Sequence, residues 1–112
     1  METHDDYLAN CPPESRRRLE AIRTEVERRV EGTERVVSYK MPALRKGRVF
    51  IYFAAFKNHI GVYPPVEAPA GLLKELAPYR GPKGNLAFPL AEPLPIDLIG
   101  RVAEALAKQY AK

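Results

Sequence analysis

Apolar residues recur along the first third of the chain at the spacing of an α-helix. They stand three or four positions apart and form one stripe among alternating glutamates and arginines. Pro12 and Pro13 lie where a first helical turn tolerates proline, and Gly32 lies where helices commonly end. The pattern therefore predicts a long amphipathic helix within residues 12–32. Its apolar stripe consists of Leu19, Ile22, Val26 and Val30.

The central segment changes to the β-branched and aromatic composition of strands. Residues 34–44 predict a strand that Pro42 ends or kinks, and Lys46-Gly47 predicts the turn that follows. Residues 48–56 then predict a second strand, and residues 59–63 predict its return partner. The connections have hairpin length, so these strands are expected to pair antiparallel.

The strand predicted over residues 48–56 is apolar on both faces. One face would carry Val49, Ile51, Phe53 and Ala55, and the other Phe50, Tyr52, Ala54 and Phe56. A strand with one wet face alternates apolar and polar residues, so both faces are expected to be covered. The cover could be the Pro-rich loop or the C-terminal helix, a second subunit, or a ligand.

The remaining pattern completes an α+β fold. It predicts a short helix over Ala70–Ala77, a strand over Leu86–Phe88 and a final helix from about Pro95 to Tyr110. The expected architecture is a mainly antiparallel sheet with the N- and C-terminal helices packed on one face. At this length, residues 1–112 are expected to form a single domain.

Charge and cysteine content narrow the class of protein. The net charge is +4, and residues 36–63 carry five basic and no acidic residues. Such a segment attracts anions, although lysines and arginines at hairpin ends also simply keep sheets from aggregating. Cys11 is the single cysteine, which excludes an intrachain disulfide. No signal peptide pattern and no apolar run long enough to span a membrane is present, so a cytoplasmic location is expected.

Three segments together resemble a known family. SYKMPALRKGR (38–48), FAAFKNHIGVYP (53–64) and KGNLAFPLAEPLPIDLI (83–99) are similar to the YdhG-like domain family, and the resemblance covers nearly the whole chain. The members of this family are small bacterial proteins of largely unknown function, and some are described as frataxin-like intracellular iron chaperones. The resemblance implies a frataxin-like two-layer arrangement, a non-enzymatic iron chaperone, and iron–sulfur or haem assembly proteins as partners.

Iron would need hard oxygen ligands, chiefly carboxylates. The six glutamates in and just after the first helix alternate with seven arginines, so they form no acidic ridge. The densest group of ligand types is His4-Asp5-Asp6, which also suits a short helical turn capped by Thr3. The sequence therefore assigns no metal ligands, and iron as a cargo is implied by the resemblance alone.

Aromatic and basic residues of the central segment give an alternative function. They could line a cleft that takes a small anionic ligand or a partner protein, and a homodimer is also open. Lys57-Asn58-His59 is first a hairpin turn, and an enzyme using His59 as a base would need a polar partner beside it. Nucleic acid is not favoured, since no stacking platform is evident in the sequence. The candidate site residues are Tyr39, Met41, Tyr52, Phe56, Lys57, His59, Tyr63 and Lys83.

Overall fold

A five-stranded antiparallel sheet and four α-helices form the fold. The computed structural model describes residues 3–111, and the strands follow one another across the sheet in the order β1-β2-β3-β4-β5. The expected α+β class with an antiparallel sheet is therefore confirmed. The elements are α1 (His4–Ala9), α2 (Pro13–Arg29), β1 (Glu34–Ser38), β2 (Met41–Lys46), β3 (Arg48–Ala55), β4 (His59–Tyr63), α3 (Ala70–Leu76), β5 (Leu86–Pro89) and α4 (Ile96–Tyr110).

The long helices α2 and α4 pack against each other and against β3, and the hydrophobic core lies between them and the sheet. Directly paired residues of an antiparallel sheet share a face, so the register identifies the face that the helices cover. The covered face carries Leu44, Ile51, Phe53, Ile60, Val62, Leu86 and Phe88, all fully or almost fully buried.

Within residues 3–111, no helix combines the length and the apolar character needed to cross a membrane.

The short helix α1 is held against the sheet by two side chains. The His4 ring is buried, with its Nε2 atom 2.7 Å from the carbonyl oxygen of Ala43. The backbone N–H of Ala55 donates to the Tyr7 hydroxyl at 3.1 Å. The expected cap is present as a reciprocal pair, in which Thr3 and Asp6 each accept from the other's backbone N–H.

These contacts separate the three residues that sequence analysis considered as metal ligands. His4 points into the protein, Asp6 caps the helix, and Asp5 lies 3.4 Å from Arg23 on the exposed side. A metal ion needs its ligands to converge on one point. The geometry of His4-Asp5-Asp6 is therefore that of a helix start and not of a shared metal site.

The buried His4 predicts a specific pH dependence of stability. Burial is the main cause that lowers its pKa below 6.5, the bond to the Ala43 carbonyl opposes this shift, and the nearby Arg23 adds to it. Since the unfolded chain takes up a proton near pH 6.5 that the folded chain resists, the free energy of unfolding should fall as the pH drops from 7 towards 5. The slope for one proton is at most about 1.4 kcal/mol per pH unit.

Urea unfolding between pH 5 and pH 8 measures this slope. The variant His4→Gln keeps an N–H donor for the Ala43 carbonyl but cannot titrate, so its stability should be nearly flat over this range. His59→Gln is the matched control, because it makes the same substitution at a half-buried position that has no contact with the Ala43 carbonyl. An equal slope in His4→Gln would contradict the assignment.

The turn between β1 and β2 is a correction to the predicted strand over residues 34–44. The chain reverses at Tyr39-Lys40, and Pro42 lies inside β2, opposite Val37 of β1. Both turn residues have positive φ angles, 52° and 62°, which is the geometry of a type I′ hairpin turn. Because this turn ordinarily uses Asn-Gly, the sequence Tyr-Lys gives no signal that two strands meet here.

A β-bulge corrects the predicted faces of β3. Leu44 pairs with Ile51 whereas the next residue, Arg45, pairs with Val49, so Phe50 is an extra residue on β3. A bulge of this kind turns a side chain away from simple alternation. Phe50 and Ile51 are consecutive, yet both are completely buried members of the hydrophobic core. The second face of β3 therefore begins at Tyr52.

Candidate functional site

The sheet face opposite α2 and α4 carries a set of aromatic side chains. Tyr52 of β3 pairs with Ala43 on one side and with Tyr63 on the other. By alternation, Ala54 and its partner Gly61 lie on the same face, one step towards the β3–β4 turn. The small residues Ala43, Ala54 and Gly61 are buried. This face thus has a floor of small residues with larger rings above it.

Ring contacts and the pairing of Tyr52 with Tyr63 join these side chains into one group. Tyr39, in the β1–β2 turn, places its ring 5.9 Å from that of Tyr52. At the other turn, the rings of Phe56 and His59 stack, with centroids 4.9 Å apart and planes at 18°. The rings of Tyr63 and Phe56 meet over Gly61. We call this set the aromatic row; it consists of Tyr39, Tyr52, Tyr63, Phe56 and His59.

The aromatic row is accessible to solvent. Tyr39 is 82% exposed and Phe56 is 43% exposed, while Tyr52, His59 and Tyr63 are half-buried. The C-terminal helix α4 packs against α2 and β3 on the opposite side of the sheet, so it does not wrap over these rings. A contiguous exposed set of large rings on a small domain commonly marks a binding surface.

The structure brings together most, but not all, of the candidate site residues. Met41 lies two residues from Ala43 on the same face, and Lys57 follows Phe56 in the β3–β4 turn. Lys83 is the exception. The adjacent Gly84 packs against Pro65, beyond Tyr63, whereas Lys57 precedes His59, so the two lysines lie at opposite ends of β4. The expectation of one cleft lined by all eight residues is corrected to an open surface with Lys57 and Lys83 at its two ends.

Lysines at the borders of this surface carry unneutralised charge. Across residues 3–111, Lys40, Lys57 and Lys83 form no ion pair with a carboxylate. Several arginines of α2 behave differently, since Arg18 bonds Glu14, and Arg28 and Arg29 bond Glu25. Lys40 and Lys57 therefore place uncompensated positive charge beside the aromatic row, where an anion would meet it.

A groove of about 590 Å³ adjoins the row at its Phe56 end. Phe56 and Lys57 form one wall, and Tyr7, Cys11 and Ser15 from the α1–α2 region form another. The Cys11 thiol donates to the backbone carbonyl of Tyr7 at 3.3 Å, which fixes its position in the groove. No local motif relates residues 7–15 to residue 56, so sequence analysis missed this neighbourhood.

Most carboxylates of the helical layer are engaged with arginines, and they do not converge. Arginine hydrogen bonds lower the pKa of Glu14, Glu25 and Glu27. Among the residues from 3 to 111, no three histidine, cysteine, aspartate or glutamate side chains lie close enough to share a metal ion. An arginine that holds a carboxylate competes directly with a cation for the same oxygens.

Gly61 is expected to be essential for the arrangement of the rings. A Cβ atom at this position would lie 2.8 Å from the Tyr63 hydroxyl oxygen and 2.9 Å from Cε2 of Phe56. Gly61→Ala should therefore push the two rings apart and lower the free energy of unfolding by about 1–3 kcal/mol, the usual cost of overpacking. Urea unfolding and the aromatic NMR signals of Phe56 and Tyr63 measure the two effects.

Gly81→Ala is the control for Gly61→Ala. A Cβ atom at Gly81 would meet only a backbone oxygen, that of Asn85, at an ordinary distance of 3.6 Å. This variant should leave both stability and ring signals close to those of the natural protein. Equal behaviour of the two variants would show that the rings do not close over Gly61.

Comparison with solved structures identifies a protein of the same fold. No protein-family model matches the sequence, and no curated protein matches it. The crystal structure of a DUF1801-family protein, YdhG from Bacillus subtilis, matches with a TM-score of 0.81 and 21% sequence identity. The match covers 96% of this chain and 90% of that chain. This chain therefore has the fold of a DUF1801-family protein.

Proposed function

We propose that this protein is a non-enzymatic binding domain whose aromatic row takes a planar, negatively charged ligand. The single observation that carries the proposal is the contiguous, solvent-accessible aromatic row on the open sheet face. The antiparallel sheet places Tyr52, His59 and Tyr63 on one face through the register of β3 and β4. A flat ligand gains contact with several rings at once and orders few side chains when it binds.

Two features support this ligand chemistry. The faces of aromatic rings attract other planar π-systems in offset or tilted geometry, and the tyrosine hydroxyls add hydrogen-bonding groups at the edges. Lys40 and Lys57 lie in the two turns that flank Tyr39 and Phe56, so an anion on a stacked ligand would meet cations there. Lysines without carboxylate partners have no competing interaction to break.

A pair of matched ligands tests the proposal. Naphthalene-2-carboxylate and decalin-2-carboxylate carry the same charge on flat and puckered rings of similar size. Titration followed by ¹H–¹⁵N NMR should give saturable shifts at residues of the aromatic row for the flat ligand, and shifts at least several-fold weaker for the saturated one. Tyr52→Leu should lower the affinity for the flat ligand several-fold, since it removes the ring that contacts Tyr39 and pairs with Tyr63.

Tyr110→Leu is the control, because Tyr110 is a half-buried tyrosine of α4 in the helical layer. It should bind the flat ligand as the natural protein does. Equal affinity for the two ligands, or shifts confined to the helices, would remove the proposal. Shifts that follow Tyr110 instead of Tyr52 would do the same.

Membership of the YdhG-like family is also our proposal, supported by the shared fold and by the three sequence segments. That resemblance implies a frataxin-like iron chaperone. The glutamates of α2 give this role little support, because arginines already hold the carboxylate oxygens that would bind iron. Anaerobic calorimetric titration with ferrous iron decides it. Saturable micromolar binding that falls in Glu14→Gln or Glu27→Gln would favour the iron role over stacking on the aromatic row.

A further inference from the structure

The extent of the aromatic row exceeds what a single small ring needs. The row runs from the β1–β2 turn across β3 to β4, and along β4 from His59 to Tyr63. At about 4.8 Å between strands and about 3.4 Å per residue, it covers roughly 10 by 13 Å. One ring pair lies at each end, Tyr39 with Tyr52 and Phe56 with His59, and Tyr63 lies between them. This arrangement offers at least two separate stacking positions.

The shape of the row suits an extended ligand. A linear ligand can place successive flat groups along the row while its charges reach the lysines at the borders.

We infer that the ligand of the aromatic row is a single-stranded nucleic acid, whose bases stack on the rings while its phosphates meet Lys40, Lys57 and Lys83. This inference rests on the proposed function and names its ligand class. Single strands are bound in general by aromatic side chains that stack bases, combined with cations that follow the backbone. An open sheet face carrying rings is a common form of such a surface.

Charge complementarity favours this ligand over an uncharged chain. The segment from residue 36 to residue 63, which contains all five rings, has five basic and no acidic residues. Lys40 and Lys57 lie at one end of the surface and Lys83 at the other. An extended polyanion can reach both ends at once, whereas a single small anion cannot. The platform was not evident in the sequence because its rings come from two turns and two strands.

Fluorescence anisotropy with end-labelled octauridylate and octathymidylate tests the inference, with a duplex of equal length and uridine monophosphate for comparison. We expect micromolar binding of a single strand, at least tenfold weaker binding of the duplex, and only millimolar binding of the mononucleotide. The two single strands show whether RNA or DNA is preferred. Log K should fall with log salt concentration by about 0.7 for each phosphate contact.

Variants identify the surface that binds. Tyr52→Leu and Phe56→Leu should each lower the affinity for the single strand by about tenfold, within the range found for lost base stacking. Lys57→Gln should reduce the salt slope by about 0.7, while Lys108→Gln on α4 should not change it. Tyr110→Leu should bind normally.

The outcomes separate the inference from the proposed function. If uridine monophosphate binds as tightly as octauridylate and Tyr52→Leu abolishes the binding of both, the proposed function is supported and the nucleic-acid inference fails. If neither nucleotides nor the flat carboxylate bind, both fail. A duplex that binds as well as the single strand would overturn the inference, because phosphate attraction would then suffice. A dimer that Tyr52→Leu dissociates would overturn it in favour of a second copy.

Discussion

Replacing Gly100 by alanine is expected to lower the free energy of unfolding by about 1–2 kcal/mol, because the added methyl group overlaps the side chain of Arg29. A Cβ atom at Gly100 would overlap Nε of Arg29 and lie 2.7 Å from its Cδ. These atoms lie in the middle of the side chain and cannot move without moving the guanidinium. Alanine ordinarily stabilises a helix interior by about 0.5–1 kcal/mol relative to glycine, so the expected loss is net of that gain.

The Arg29 side chain connects α2 to α4, which gives the clash a wider effect. It bonds Glu25 on its own helix at 2.5 Å, and Asp97 and Glu104 on α4 at 2.5 and 2.8 Å. Asp97, Gly100 and Glu104 share one helical face, so the guanidinium reaches both carboxylates by passing over the glycine. Glycine at position 100 thus lowers the helix propensity of α4 but leaves room for the Arg29 side chain to connect the two helices.

A change of sign in the Arg29→Ala background makes the prediction specific. Without the arginine, nothing opposes the methyl group, and Gly100→Ala should then raise the free energy of unfolding by about 0.5–1 kcal/mol. Gly71→Ala in α3 is the control in both backgrounds, since a Cβ atom there would contact nothing within 4 Å. Urea unfolding of the natural protein, the two single variants and the double variant measures the cycle. A loss of stability that persists without Arg29 would contradict the mechanism.

Periodicity predicted the regular elements well. Both long helices and the strands β3, β4 and β5 lie within three residues of their predicted bounds. The helices carry a helical apolar spacing, and the strands are short β-branched and aromatic runs bounded by turn residues. Reversals without a standard turn signal were missed. Tyr39-Lys40 is such a case, since neither residue favours the positive φ angles that it adopts.

The candidate site could be predicted in its members but not in its shape. Tyr52 and Phe56, and His59 and Tyr63, were assigned to shared faces by alternation alone. Their union into one row depends on the β3–β4 register and on Gly61, which no local pattern reveals. The bulge at Phe50 likewise removed one residue from the expected face, because bulges arise from pairing between strands and leave no local signature. The position of Lys83 at the far end of β4 also could not be predicted, because it follows from the packing of the adjacent Gly84 on Pro65.

Replacing Tyr39-Lys40 by Asn-Gly is expected to stabilise the protein while weakening its binding. An L-residue other than glycine with a left-handed backbone costs about 1–2 kcal/mol, and asparagine tolerates this conformation better than tyrosine or lysine. The double variant should therefore raise the free energy of unfolding by about 1–2 kcal/mol. It also removes the most exposed ring of the aromatic row and one of its bordering cations.

Single variants separate the two effects. Lys40→Gly keeps the Tyr39 ring and should gain most of the stability with only a modest loss of affinity for a single-stranded octanucleotide. Tyr39→Asn should lose several-fold more affinity than Lys40→Gly, because it removes the ring that extends the row beyond Tyr52. Urea unfolding and anisotropy titration on the same samples measure both quantities.

Stabilisation without loss of binding would show that the turn sequence is not retained for the aromatic row. Loss of binding without stabilisation would show that the backbone at these residues is not strained. If both changes occur together, the strained turn is explained physically, since the ring is held over the sheet at the expense of a better turn sequence.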